Sequence, residues 1–161
     1  MPSERGAVLA DDFAAANAEV IAFARSCSQD EWRTSVAGED WPVGIVLHHI
    51  AEGHGQASRW LQAMSSGEGV PDTAEDIDRA NAAHAVRAES VDPVETVALL
   101  EIRGRELEAL LRLLDDEQLD RSAPFGPAGG QVFPCADLAP VTARHAREHL
   151  AHARRALGRQ D

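Results

Sequence analysis

Two imidazoles four residues apart dominate the chemistry available to this chain. They are His145 and His149, in the run from Val141 to His152, which otherwise reads as helix. In a helix, positions i and i+4 share one face about one turn apart, roughly 6 Å. That spacing lets two imidazoles bind one transition ion. A third ligand must come from elsewhere, and the sequence Leu47-His48-His49-Ile50 offers one. The functional question is whether these histidines meet.

Turning each segment at about 100° per residue sorts them. In the segment that starts near Pro42, Val43, Val46, Ile50, Gly53, Ala57, Trp60, Leu61 and Met64 gather on one side. His49 falls at the edge of that arc. His48 falls opposite, with Glu52, Gln56 and Arg59, and is expected to face solvent. His54 lies on the other edge, about 140° from His49, so the two are not expected to share a site. In the last segment Ala139, Ala146, Leu150, Ala153 and Leu157 form the apolar side, and Arg144, Arg147, Arg154 and Arg155 the wet side. His145 and His149 lie between, nearer the core, and His152 is slightly wetter. His49, His145 and His149 can therefore line one cleft, with His152 in reserve. A histidine at the border of an apolar stripe is more often a hydrogen-bonded boundary residue than a ligand. Three imidazoles buried together without a metal, however, leave several polar nitrogens to satisfy.

The elements that must position these residues are helical. The chain has 161 residues, 44% hydrophobic, with no Tyr, four Phe and three Trp. Its wealth of Ala and Leu favours helix over sheet. Long amphipathic segments run from about Ala7 to Cys27, Pro42 to Ser65, Asp92 to Leu114, and Asp137 to Gly158, the last tolerating Pro140 in its first turn. Asp72 to Glu75 reads as a capping box opening a shorter helix through Ala82 to Ala88. Pro124 to Pro134 is too rich in Gly and Pro for a helix and predicts a loop or small hairpin. Burying four apolar stripes calls for an all-α four-helix bundle with a long crossover and a short extra helix, as a single domain over residues 1–161.

Charge and composition bound the function. A formal charge of -12 repels nucleic acid and anionic membranes, so neither is an expected partner. The C-terminal arginines suit a helix dipole. No apolar run approaches a membrane span, and the first residues do not resemble a signal peptide, so a cytoplasmic protein is expected. Cys27 and Cys135 have neither disulfide-scaffold nor metal-pair spacing.

The stretch from Trp41 to Ala51, followed by His145 to Leu157, resembles the DinB/YfiT-like superfamily. That family shows a Trp-led helix carrying one histidine and a last helix with an HxxxH pair. The resemblance covers nearly the whole chain in the order and length of helices. It implies a four-helix bundle holding one divalent ion, zinc or nickel, on His49, His145 and His149, and pairing through helix faces as a homodimer. Where the family often has Gln, this chain has His152. The Glu that the maleylpyruvate isomerase branch often carries at the first place of the pair is His145 here. The Glu of the sulfoxide synthases is Ala151.

Three imidazoles leave a zinc-like ion an open place, the arrangement of catalytic rather than structural sites. It can make a hydrolytic nucleophile from water, or bind a small thiol for attack on an electrophile. The resemblance favours a thiol S-transferase using a thiol such as mycothiol or bacillithiol on a small-molecule substrate. A metal-dependent hydrolase, a non-catalytic metal-binding or stress-response module and a metal-free bundle stay open. Glu52 and Glu148 are the nearby acids and are expected on wet faces. Asn81 and His84 can reach over the cleft, and Arg59 or Arg144 can draw in an anionic thiol. Neutral imidazole is the binding form, so metal affinity is expected to fall below about pH 6.5.

Overall fold

A computed structural model describes residues 1–86 and 91–159. Among them, the long helices are α1 (Glu4–Ser26), α3 (Val43–Ser66), α5 (Pro93–Leu113) and α7 (Cys135–Ala156). Shorter helices lie between: α2 (Gln29–Trp32), α4 (Ala74–Val86) and α6 (Asp116–Asp120). The strands are two small antiparallel pairs, β1 (Ser35–Val36) with β2 (Trp41–Pro42) and β3 (Ser122–Phe125) with β4 (Gln131–Pro134). The expected all-helical bundle, and the hairpin expected between Pro124 and Pro134, are both present.

The helix ends follow local chemistry. Ser3 accepts a hydrogen bond from the Gly6 N–H at 3.0 Å and starts α1 one turn earlier than its apolar stripe suggests. Asp92 caps α5 with Pro93 in its first turn. The cap of α4 is Thr73, which exchanges hydrogen bonds with Asp76. Asp72, which the sequence suggested for that role, instead accepts the Trp60 indole N–H at 2.9 Å. The expected end of α4 near Ala88 lies outside the described residues. Helix α7 begins at Cys135, so Asp137 stands in its first turn rather than capping it, and Pro140 lies inside the helix.

Packing fixes an uncommon order. Helix α1 packs on α5 and α7, and α3 packs on the same two, so α1 and α3 are diagonal. Cross-links give directions. Ser3 meets Leu114 and Arg25 meets Glu101, so α1 and α5 are antiparallel. Asp12 meets Arg147 and Ser26 meets Arg159, so α1 and α7 are parallel. Ala51 meets Arg103, and Gln62 and Ser65 border one cavity with Leu110 and Leu113, so α3 and α5 run the same way. Parallel neighbours need a connection that returns along the bundle. Residues 67–92 make that return, with α4 inside it.

Phe13, Leu47, Ile50, Leu61, Leu107 and Leu150 are among the fully buried side chains between the four long helices. Each such side chain contributes roughly 1.5–3 kcal/mol of burial. Helix α4 belongs to this core only at its end, where His84 is its one buried residue among those described. Ile77 and Asn81, four residues apart on one face, lie over the gap between α3 and α7, while His84 packs against Trp41 and His48.

Candidate metal centre

His49 sits in the second turn of α3, and His145 and His149 sit in the C-terminal half of α7. The two helices are antiparallel, since Leu61 meets Cys135 while His49 meets His145. This brings the three imidazoles to one end of the bundle. One ring nitrogen from each lies within 4.8 Å of the others. His49 Nε2 and His145 Nε2 are 3.3 Å apart. Gly53, one turn after His49, makes this approach possible. A Cβ there would stand 2.8 Å from His145 Cε1, too close for the ring to stay.

The third imidazole is aimed by an acid that helical periodicity could not find. Glu39 accepts a hydrogen bond from His149 Nδ1 at 2.9 Å and a shorter one from His152 Nδ1. Its side chain is 9% exposed. Glu39 belongs to the tight turn between β1 and β2. Gly38 and Asp40 on either side both have positive φ, 86° and 56°. Such backbone is cheap for Gly and tolerated by Asp, and it turns Glu39 toward α7. The bond at Nδ1 places the proton there and leaves Nε2 of His149 with its lone pair free. His152, the reserve ligand of the sequence reading, thus shares a carboxylate with His149.

Electrostatics favours neutral rings. Burial, with the neighbouring imidazoles, pushes His49 down to about 3 and His145 down to about 4. Burial alone would raise the Glu39 carboxyl, but its bonds to His152 and His149 prevail and hold it below the ordinary carboxylate range. The expected fall in metal affinity from pH 6.5 therefore does not come from His49 or His145. Both are already neutral well below that pH.

The donor set fits a divalent transition ion. A tetrahedral zinc with Zn–N bonds of about 2.0–2.1 Å has neighbouring nitrogens roughly 3.3–3.4 Å apart. The His49 to His145 separation of 3.3 Å matches that edge. A carboxylate behind one ligand imidazole is the usual support for such a site. Glu39→Gln keeps the shape and removes the charge. It is expected to weaken zinc binding by about 10–100-fold, read by competition with a chelating dye, and unchanged affinity would show that Glu39 serves only the loop.

The remaining sequence candidates are placed as follows. His48 is outside the triad, as its phase predicted, but it does not face solvent. Its ring stacks on His84, with Nδ1 2.7 Å from His84 Nε2. The face opposite the core is covered there by α4, which a periodicity argument on α3 alone does not register. Gln56 is half-buried for the same reason. His54 is 1% exposed, packs edge-on against Phe13 and bonds through Nε2 to Asn17 Oδ1 at 2.9 Å. Gly104 admits Asn17, whose Nδ2 would lie 2.0 Å from a Cβ there. Glu52 pairs with Arg103 and Glu148 with Arg144, both at the surface. Arg59 is exposed, and neither it nor Arg144 lines the cavity beside the histidines.

That cavity has a volume of about 410 Å³. It lies between α3 and α7 under α4, with His49, His145, His149 and Glu39 at one end. Trp41, Ala57, Trp60, Ile77, Leu138 and Val141 form most of its wall. His54 reaches it from the core side, so His49 and His54 border one cavity even though only His49 joins the triad. No helix among the described residues is long and apolar enough to cross a membrane.

Comparison with known proteins agrees with this architecture. YfiT from Bacillus subtilis, described as "a probable metal-dependent hydrolase with an unusual four-helix bundle topology", superposes with a TM-score of 0.79 at 18% identity, over 99% of this chain and 91% of that one. A mycothiol-dependent maleylpyruvate isomerase superposes with a TM-score of 0.71 at 15% identity, over 94% of this chain and 60% of that one. At such identities the likeness is one of fold. No functionally curated protein shows a significant match to the sequence. The family model of the DinB superfamily matches residues 12–153, from the third turn of α1 past the last histidine of the cluster, and the chain belongs to that superfamily.

Proposed function

We propose that His49, His145 and His149 hold one divalent metal ion, zinc or nickel, and that the protein is a thiol S-transferase acting on a small electrophile. When bound, such an ion supplies Lewis acidity that lowers the pKa of a thiol or water at its open position. The chain's own part is to hold the nucleophile's end and the electrophile's end together. Glu39 fixes the His149 ring. Trp41 and Val141 exclude water from the histidine end of the cavity. In the reaction the thiol gives its proton to water and a C–S bond forms, while the electron pair of the attacked carbon's bond leaves that carbon: with the halide of an alkyl halide, onto the oxygen of an opened epoxide, or from the C=C π bond of a Michael acceptor, the last two then taking up a proton from water.

The observation that favours a thiol over water is the scarcity of acid–base groups in the cavity wall. Hydrolysis of an ester or amide needs a proton for its leaving group. Glu39 is the sole carboxylate lining the cavity among the described residues, and two imidazoles already occupy its Oε1. A thiol, with a pKa near 8.5, needs far less help to ionise than water does. The protein's own thiols are poor candidates. Burial raises the Cys27 thiol and pushes Cys135 up to about 11. Likeness of fold to a mycothiol-dependent enzyme lends further support.

The test is conjugation. Metal-loaded protein is incubated with mycothiol, bacillithiol or glutathione and an alkyl halide, an epoxide or a Michael acceptor. Thioether is expected above background with at least one thiol, and to vanish in His149→Ala. Ester or amide cleavage with no thiol present, and no metal-dependent conjugation, would give the site to a hydrolase instead.

A further inference from the structure

The cavity's length and the kind of polar groups along it narrow the substrate class. His49 and Trp60 lie eleven residues apart on α3, and so do Leu138 and His149 on the antiparallel α7, with both pairs bordering the cavity. Eleven residues of helix span about 16 Å. The cavity is therefore a slot, with the histidine cluster at one end and Trp60 and Leu138 at the other. No Arg or Lys lines it among the described residues, and its one acidic group, Glu39, is at the histidine end.

Two carboxamides stand along the slot, Gln56 from α3 and Asn81 from α4. Both are half-buried. Other polar groups of the lining are already engaged inside the protein. Thr142 donates to the Ala139 carbonyl, His54 bonds to Asn17 and the Trp60 indole donates to Asp72. Neither Gln56 nor Asn81 has a side-chain hydrogen bond to protein among the described residues. A half-buried carboxamide can both donate and accept, so it suits a neutral polar group. It cannot compensate a full charge taken from water into an apolar wall.

We infer that Gln56 and Asn81 determine substrate specificity, and that the slot takes an elongated molecule with an apolar body and an uncharged polar tail, such as an amide or alcohol, and rejects dicarboxylates. A substrate's single anionic or electron-rich head can lie at the histidine end, where a metal would neutralise it. A second charge at the far end would meet Trp60, Leu138 and the two amides, with no cation. This reading rests on the metal site proposed above for its head group but not on the reaction proposed there.

The test compares octanedioate with its monoamide, which differ only in whether one end is neutral. Binding to zinc-loaded protein is followed by tryptophan fluorescence, since Trp41 and Trp60 both border the slot. The monoamide is expected to bind at least about tenfold more tightly, the order of loss when a buried polar group is left unpaired. Asn81→Leu is expected to erase most of that preference, bringing the two affinities to within about threefold of each other. Gln56→Arg is expected to tighten octanedioate. Equal binding of the two probes, or an Asn81→Leu variant that keeps the full preference, would overturn the inference. The same pair, octanedioate and its monoamide, on metal-free protein gives the comparison without the ion. Loss of thiol transfer with this preference intact would remove the proposed reaction alone, and the converse would remove the specificity reading alone.

Discussion

Stoichiometric zinc binding is expected to be lost in each of His49→Ala, His145→Ala and His149→Ala and kept in His48→Ala. The physical reason is that two nitrogens from positions about one turn apart on α7 and a third from α3 lie within 4.8 Å of one another. The binding free energy of a zinc site, of order 10–16 kcal/mol over four ligands, gives each ligand about 2.5–4 kcal/mol. That is a loss of roughly 70- to 900-fold in affinity per ligand. His48 carries the same chemistry one residue away, but its Nδ1 is directed at His84. Rotation of about 100° along the helix separates ligand from non-ligand. Metal analysis of tag-free protein, purified without a nickel column, provides the measurement. Undiminished zinc in His49→Ala would take α3 out of the site. Loss of zinc in His48→Ala would mean that the stacked His48 and His84 pair supports the site as a unit.

The contrast between His48 and His49 shows what was legible in the sequence. Helical phase is a property of one element, so it separated the two correctly and brought His145 and His149 to the same line. Phase does not report what covers a face. His48 and Gln56 look wet on α3 alone because their cover, α4, is supplied by the return segment between parallel helices. Helical phase placed Gly53 on the apolar side of its segment without showing that its missing side chain makes room for His145, just as Gly104 makes room for Asn17.

Glu39 was out of reach for a different reason. It lies in a turn, where no period marks a residue as inward or outward. The signal present was local: an acid between Gly38 and Asp40, just ahead of the Trp41 that leads α3. That pattern specifies a left-handed turn but not its target. Only the packing of β1 against α7 reveals that the carboxylate meets His149 and His152. Sequence reasoning accordingly named the three imidazoles that converge, and the fold supplied the residue that aims one of them.

Metal-free protein is expected to unfold on mild acidification, near pH 5 at room temperature. His49 and His54 are pushed down to about 3, and His145 to about 4, first by burial and then by neighbouring imidazoles, with Arg103 adding to the effect on His54. In the unfolded chain each returns to about 6.5. Between pH 6.5 and about 4 the unfolded state therefore binds more protons than the native state, and stability rises with pH. The contribution is fully present above pH 6.5 and is lost as pH falls. Each imidazole adds at most about 1.4 kcal/mol per pH unit. Because each unfolded imidazole is only half protonated at pH 6.5, three of them remove about 5 kcal/mol between pH 6.5 and 5, comparable to the lower end of the about 5–15 kcal/mol that holds a domain of this kind together. Glu39, whose pKa is lowered by the His152 and His149 bonds that outweigh its burial, adds to the loss only below its own ordinary range. The measurement is the thermal midpoint of chelator-treated protein from pH 7.5 to 4.5. His54→Gln retains a partner for Asn17 without a basic ring, and is expected to reduce the slope by about a third, in proportion to one of three protons. A midpoint that stays level from pH 7 to 5 would mean that the buried imidazoles are not held neutral, and that the cluster has solvent access that its packing denies.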